Sequence, residues 1–180
     1  MARSISMLAG AFLLASSLSS GGLAADGDVA GGVIECLPVV GTFLTTKYED
    51  GADGTAPIGR SLLSLTNGGH AFFTDSAEAG VPGFQPFSDA RGAWRCTKND
   101  GGEIEFTLVM LDFTFPTAAQ PDQKIARIDT RASFVVEAGR LSGRTVVSFA
   151  DLYSDPSDAE AFADPIAYRF EGTKIEVPAE

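Results

Sequence analysis

Residues Lys124 to Val136 have the sequence KIARIDTRASFVV, in which small or apolar side chains alternate with charged or polar ones. The apolar positions and one threonine share a face: Ala126, Ile128, Thr130, Ala132 and Phe134. The intervening positions are polar: Arg127, Asp129, Arg131 and Ser133. A period of two residues is typical of a β-strand with one face toward a core and the other toward solvent. The segment therefore predicts a long, half-buried strand.

The preceding run, Glu103 to Phe115 (EIEFTLVMLDFTF), has the same period. Its inward-facing set is predicted to be Ile104, Phe106, Leu108 and Met110. Beyond Met110 the alternation blurs, because the next large apolar side chains have the opposite parity: Leu111, Phe113 and Phe115. A β-bulge or a strong bend would re-aim such side chains, so we expect one at this point.

Six more segments have the composition of strands. They are Val39 to Glu49, Arg60 to Thr66, Gly69 to Asp75, Ala90 to Lys98, Arg140 to Tyr153 and Ile166 to Val177. Asn67-Gly68 predicts a type I′ hairpin turn, and a second hairpin turn is expected at residues 99–102. Helical periodicity is not evident between the strands. The sequence thus predicts an all-β fold, a single antiparallel, roughly eight-stranded up-and-down barrel, since closure removes exposed strand edges.

The first 24 residues have the pattern of a signal peptide. Arg3 precedes a short apolar core from Met7 to Leu14 (MLAGAFLL), and small residues lead to Gly22-Leu23-Ala24. The apolar core is too short to cross a bilayer as a helix. We therefore expect a signal peptide at 1–24, a loose lead-in at 25–35 and a barrel domain at 36–180, in a secreted or periplasmic protein without a membrane span.

The chain is acidic, with 24 Asp and Glu against 13 Lys and Arg, and a formal net charge of −11. A strongly acidic surface argues against nucleic acid or anionic lipid as a partner. Because 44% of the residues are hydrophobic, the sequence also differs from a disordered acidic tail. These properties favour an acidic globular domain.

Cys36 and Cys96 are the only cysteines. An even pair in an exported protein predicts a disulfide. The alternative, a redox-active or nucleophilic cysteine, lacks a C-x-x-C motif and would have to use His70, the only histidine. Lipid attachment at Cys36 is disfavoured because Glu35 directly precedes it.

The strand pattern resembles that of calycin-type barrels, of which the lipocalins are the best known. In that group a Gly-x-Trp motif lies on the first strand, and an arginine of the last strand packs across the tryptophan. The corresponding residues here are Gly41-Thr42-Phe43 and Arg169, with phenylalanine in place of tryptophan. The chain is also similar in pattern to allene-oxide-cyclase-like barrels, shared with dirigent proteins. Both resemblances imply a barrel whose interior can hold a small molecule.

The inward faces of the predicted strands supply the candidate ligand-binding residues. They are Phe106, Leu108, Met110, Ile128, Phe134, Val147, Phe149, Tyr168 and Phe170. Phe84 and Phe87, beside prolines in a long loop, are predicted to form a lid over the barrel mouth. Thr130, Tyr168 or Asp151 would orient a ligand. The alternatives are a solid core and aromatic rings that simply cap the barrel end.

Other chemistries have weaker signals. Two acidic groups could gather around Ca²⁺ but lack EF-hand spacing, so solvated loops are expected: Asp155, Asp158 and Glu160, or Asp50 and Asp53. One histidine and two bridged cysteines do not make a usual zinc set. Asp112 and Asp151 could be buried acid–base catalysts or could mark the hydrated ends of their strands. We predict no metal site, no cofactor and no assigned catalytic residue.

The leading hypothesis is an exported, lipocalin-like β-barrel that binds a small apolar ligand in its interior. One alternative is a non-catalytic envelope or extracellular interaction module that docks a protein partner around Phe84 and Phe87. The other is an isomerase of the allene-oxide-cyclase type. The sequence favours a non-catalytic protein among these.

Overall fold

The computed structural model describes residues 36–51 and 56–178. The predicted signal peptide, the predicted lead-in and the calcium candidate Asp53 lie outside the described residues.

In the described part of the chain, eight strands close into one antiparallel barrel in sequence order, and the last strand pairs with the first. The strands are β1 Gly41–Glu49, β2 Gly59–Leu65, β3 His70–Asp75, β4 Ala90–Asn99, β5 Glu103–Phe113, β6 Lys124–Val135, β7 Arg140–Asp151 and β8 Ala163–Lys174. Short 3₁₀ turns occupy Leu37–Val39 and Ala159–Ala161. None of the described helical segments is long and apolar enough to cross a membrane. The predicted up-and-down barrel is confirmed.

The register of β5 against β6 runs without interruption from Glu103 opposite Val135 to Phe113 opposite Ile125. The expectation of a bulge or bend beyond Met110 is therefore wrong. Alternation simply continues, so that Asp112 is buried and Phe113 is exposed on the outer face. Irregularities occur instead in β4, between Cys96 and Lys98, and in β7, between Val147 and Phe149.

The β2–β3 hairpin forms as expected, but its turn differs from the predicted type. A type I′ turn needs positive φ at Asn67 and Gly68, whereas the positive φ of 77° belongs to Gly69. The loop spans residues 66–69 and is closed by a hydrogen bond from the Thr66 N–H to the His70 carbonyl at 3.0 Å. β2 consequently ends at Leu65 and β3 begins at His70, so each strand stops one residue further from the turn than predicted.

One end of the barrel, which we call the closed end, is filled by protein. It lies where the β2–β3, β4–β5 and β6–β7 turns meet the 3₁₀ turn at Leu37–Val39. Phe43 is fully buried there and meets Phe134 edge to face, with ring centroids 5.4 Å apart. The predicted Cys36–Cys96 disulfide is present and ties the N-terminal segment to β4. The closed end thus forms a solid hydrophobic core.

Candidate ligand-binding cavity

The opposite half of the barrel is open and encloses a cavity of about 960 Å³. Its mouth is formed by the loops that follow β1, β3 and β5. Leu63, Leu108 and Phe170 contribute to its apolar lining, and Thr130 of β6 and Thr145 of β7, neighbours in the same wall, share a 2.8 Å hydroxyl hydrogen bond. The inward positions of the strands therefore enclose space at one end and pack solidly at the other.

The structure divides the nine sequence-predicted ligand-binding residues between these two halves. All but two line the cavity; the exceptions are Phe106 and Phe134. Phe106 meets Trp94 edge to face at 6.0 Å, and Phe134 meets Phe43, so both belong to the solid core. Parity correctly placed all nine on the inner face, but it does not distinguish a residue beside empty space from one in the core.

The loop between β3 and β4 supplies the apolar rim of the cavity mouth. Phe84 and Phe87 both line the cavity, as does Val81. Phe84 is 43% exposed, and a bridge between Phe87 and Thr114 holds the loop against the strand end of β5. Both rings therefore lie at the cavity mouth, and their role as a lid stays a prediction. The same exposed rim is the surface that the interaction-module hypothesis would use, and that hypothesis stays a prediction.

A buried ion pair lies inside the mouth, between Lys47 of β1 and Asp75 at the end of β3. The lysine side chain passes over Gly59 of β2, where an added Cβ would approach the lysine Cε to 3.1 Å. Ser61 donates a hydrogen bond to the same carboxylate at 3.2 Å, and the Ala77 N–H donates to its other oxygen at 2.9 Å. Asp75 is consequently a fully engaged, charge-neutralised carboxylate.

Asp112 of β5 is a second buried carboxyl group in the cavity wall, and its environment differs from that of Asp75. It is only 5% exposed, lies opposite Ala126 of β6, and lines the cavity. Its Oδ1 atom has no hydrogen-bond partner among the described residues. Burial, reinforced by the charges of Glu78 and Asp75, raises the pKa of Asp112 to about 7. This group can therefore exchange a proton near neutral pH.

Two neighbouring groups extend this acidic region. Burial raises the pKa of Glu78, with Asp89 and Asp75 acting in the same direction, against the opposing effect of a 2.7 Å hydrogen bond from the Asp75 N–H. Burial also raises the pKa of Tyr168, as do the charges of Asp75 and Glu49. The Lys47 ammonium lies 5.6 Å from the centre of the Tyr168 ring. The cavity mouth is thus polar and predominantly acidic above apolar walls.

Two expectations about polar residues are wrong. Asp151 lies exposed at the end of β7, so it does not orient a ligand inside the barrel. Arg169 does not pack across Phe43; its guanidinium lies 4.2 Å from the centre of the Tyr48 ring. Next to Phe43 the last strand presents Lys174, whose ammonium donates to the Pro38 carbonyl at 2.9 Å. The arginine contact typical of lipocalins is therefore not formed.

The remaining candidates have structural roles in the described chain. Asp155 and Asp158 accept hydrogen bonds from the N–H groups of Ser157 and Glu160, and Asp50 pairs with Arg144 at 2.6 Å. Within residues 36–51 and 56–178, no three His, Cys, Asp or Glu side chains are arranged to hold a metal ion. His70 is exposed at the start of β3.

No motif in the sequence marks Lys47, Ser61 or Asp75. Strand parity could have placed all three inward. Lys47 shares the parity of buried Phe43, Ser61 that of buried Leu63, and Asp75 that of buried Ala71. A charged residue of each sign on inward positions of strands separated by one other strand is a signal for a buried ion pair.

No protein-family model matches the chain, and neither a curated protein nor a solved structure matches it significantly. The function is therefore inferred from the cavity itself.

Proposed function

We propose that this protein binds a small, mostly apolar molecule inside the barrel. The observation that carries the proposal is the cavity of about 960 Å³ that opens at one end of the barrel. Ligand pockets are typically concave, mostly apolar and between about 300 and 1,000 Å³ in volume. The cavity lies at the upper end of that range, which suits a ligand of drug or fatty-acid size.

We expect the cavity walls to provide affinity for the ligand and the polar groups near the mouth to orient it. Leu108, Ile128 and Val147 offer apolar surface, and burial of ligand surface against them provides affinity at about 25 cal/mol per Å² before ordering costs. Polar groups near the mouth, above all Asp112, orient the ligand by binding one polar atom. Phe84 and Phe87 shield the entrance.

We also propose that the protein works outside the cytoplasm. The signal-peptide pattern of residues 1–24 supports this location. The Cys36–Cys96 disulfide supports it independently, because such bonds persist mainly in oxidising compartments.

Adjacent valines of β7 provide a matched test of interior binding. Val147 lines the cavity, whereas Val146 lies on the outer surface beside Asp129. Val147→Trp is expected to weaken binding of N-phenyl-1-naphthylamine, a fluorescent apolar probe, at least about tenfold, because the indole occupies ligand volume. Val146→Trp is expected to change the Kd less than about twofold. Equal effects of the two substitutions in fluorescence titrations would place the probe elsewhere on the protein.

The second candidate function is an isomerase or cyclase of the allene-oxide-cyclase type. Asp112, a buried carboxyl group of the cavity wall that exchanges a proton near neutral pH, favours it. Given an allene oxide, such an enzyme would produce one enantiomer of the cyclised ketone, and Asp112→Asn is expected to lower the enantiomeric excess or the rate at least about tenfold. Racemic product from the wild-type protein would reject this candidate without affecting the binding proposal.

A further inference from the structure

Asp112 is the polar group of the cavity that most clearly needs a partner. It is 5% exposed, and its Oδ1 atom has no hydrogen-bond partner among the described residues. Leaving a buried polar atom unsatisfied is costly, and the cost is greater for a charged group. Ala126, directly across from it on β6, has no side-chain donor to offer. A ligand that donates a hydrogen bond to Asp112 would therefore remove the free-energy cost of this unsatisfied group.

The charged groups around Asp112 determine whether a positively charged, neutral or negatively charged ligand is favoured there. From β3 and its following loop it faces Asp75 and Glu78, and Asp75 is already neutralised by Lys47 of β1. Asp89 in turn raises the pKa of Glu78, in addition to the larger effect of burial. From β8 the cavity presents Tyr168, whose ring is uncharged at neutral pH.

The rim adds further negative charge. Among the described residues that line the cavity, five are acidic and two are basic. Apart from those already named, the charged ones are Glu49, Asp50, Asp122 and Lys124. Asp50 is paired with Arg144. The excess of acidic groups attracts a cation into the mouth and disfavours a carboxylate or a phosphate.

We propose that the ligand is an apolar molecule with one basic nitrogen, and that its ammonium group pairs with Asp112 while its apolar part lies against Leu108, Ile128 and Val147. This inference deepens the proposed function and rests on it. Asp112 lies toward the mouth, and the three apolar residues line the cavity deeper in the barrel, so a chain with an amine at one end matches their order along the barrel axis.

The pairing makes affinity depend on pH in a defined direction. In the free protein, burial and the charges of Glu78 and Asp75 hold the pKa of Asp112 at about 7, so the group is mostly protonated below that pH. An ammonium ion needs the carboxylate, and binding then releases one proton. The apparent Kd for an amine should consequently rise about tenfold for each pH unit below 7 and level off above it.

The test compares decylamine with 1-decanol, which have the same chain length and differ in charge. Each competes with N-phenyl-1-naphthylamine between pH 5 and pH 8, on the wild-type protein and two variants. Asp112→Asn keeps the shape of the side chain and removes its charge. Asp151→Asn is the matched control, because Asp151 is also the aspartate of a barrel strand but is exposed.

For the wild-type protein and for Asp151→Asn, decylamine should bind at least about tenfold more tightly than 1-decanol at pH 8, with most of this advantage lost at pH 5. For Asp112→Asn the preference for the amine should fall to about twofold or less, the part due to the remaining acidic rim, at every pH. The inference is overturned if the wild-type protein does not prefer the amine, or if Asp112→Asn retains the preference. In either case tight binding of 1-decanol would leave the proposed function standing, whereas failure of both compounds and of the fluorescent probe to bind would remove both.

Discussion

At pH 8 the Asp112→Asn variant is expected to be more stable to unfolding than the wild-type protein, by up to about 4 kcal/mol. The reason is that burial raises the pKa of Asp112 from its usual 3.8 to about 7, with Glu78 and Asp75 as smaller contributors. Each pKa unit corresponds to about 1.4 kcal/mol of difference between the two protonation states. The wild-type barrel therefore bears the cost of an unsatisfied buried charge, which an amide of the same shape does not have.

The direction of the pH dependence follows from the raised pKa. The folded state holds the Asp112 proton more tightly than the unfolded state does. The stabilisation of the folded state by this tighter proton binding is therefore fully present below about pH 4 and is lost as the pH rises toward 7. Most paired carboxylates behave in the opposite way, so the difference between wild type and Asp112→Asn isolates this one group.

Urea denaturation of both proteins at several pH values between 4 and 8 measures the difference. The free energies of unfolding of the two proteins should be similar at pH 4, and that of Asp112→Asn should exceed that of the wild-type protein by an increasing amount up to pH 8. Asp151→Asn serves as the control, and its substitution should change the free energy of unfolding by less than about 0.5 kcal/mol, as is usual for exposed sites. A pH-independent difference between wild type and Asp112→Asn would show that Asp112 is not held in a desolvated environment.

Removing the disulfide by the double substitution Cys36→Ser, Cys96→Ser is expected to lower the free energy of unfolding by about 4 kcal/mol. The two cysteines are 60 residues apart, so the bond greatly restricts the unfolded chain. In the folded state it fixes the segment that carries fully buried Val39 against the closed end. Both effects favour the oxidised protein.

Thermal unfolding with and without a reducing agent tests this prediction. The reducing agent should lower the Tm of the wild-type protein to nearly that of the double serine variant, and it should not affect the variant. Because the disulfide lies at the closed end, probe binding at a temperature where the variant is folded should remain within about threefold of wild type. A variant as stable as the oxidised protein would contradict the role assigned to the bond.

The strands and their order could be predicted from the sequence because most strands have a period of two over much of their length and each strand pairs with its sequence neighbours. The run from Lys124 to Val136 shows this most clearly, since its parity gives the inward face of β6 correctly. Parity also accounts for the failed arginine prediction. Tyr168 lines the cavity and Phe170 is inward, so Arg169 between them faces outward, beside Tyr48 on β1.

Features that depend on barrel closure could not be predicted in the same way. Parity says that Phe106 and Leu108 both face inward, but whether each meets empty space depends on its height along the barrel axis. That height is set by the stagger of all strands together. The register shifts in β4 and β7 likewise fall between Cys96 and Lys98 and between Val147 and Phe149, in segments that contain neither glycine nor proline. The empty space, and with it the cavity, emerges only from the assembled barrel.

Native mass spectrometry of the oxidised protein purified from its natural host tests interior binding most directly, with wild type and Val147→Trp compared side by side. We expect the wild-type protein to carry a non-covalent small molecule, which is absent or strongly reduced in the variant with the filled cavity. Interior binding is contradicted if both proteins have bare masses even after incubation with 1-decanol and decylamine, or if both carry the same molecule to the same extent.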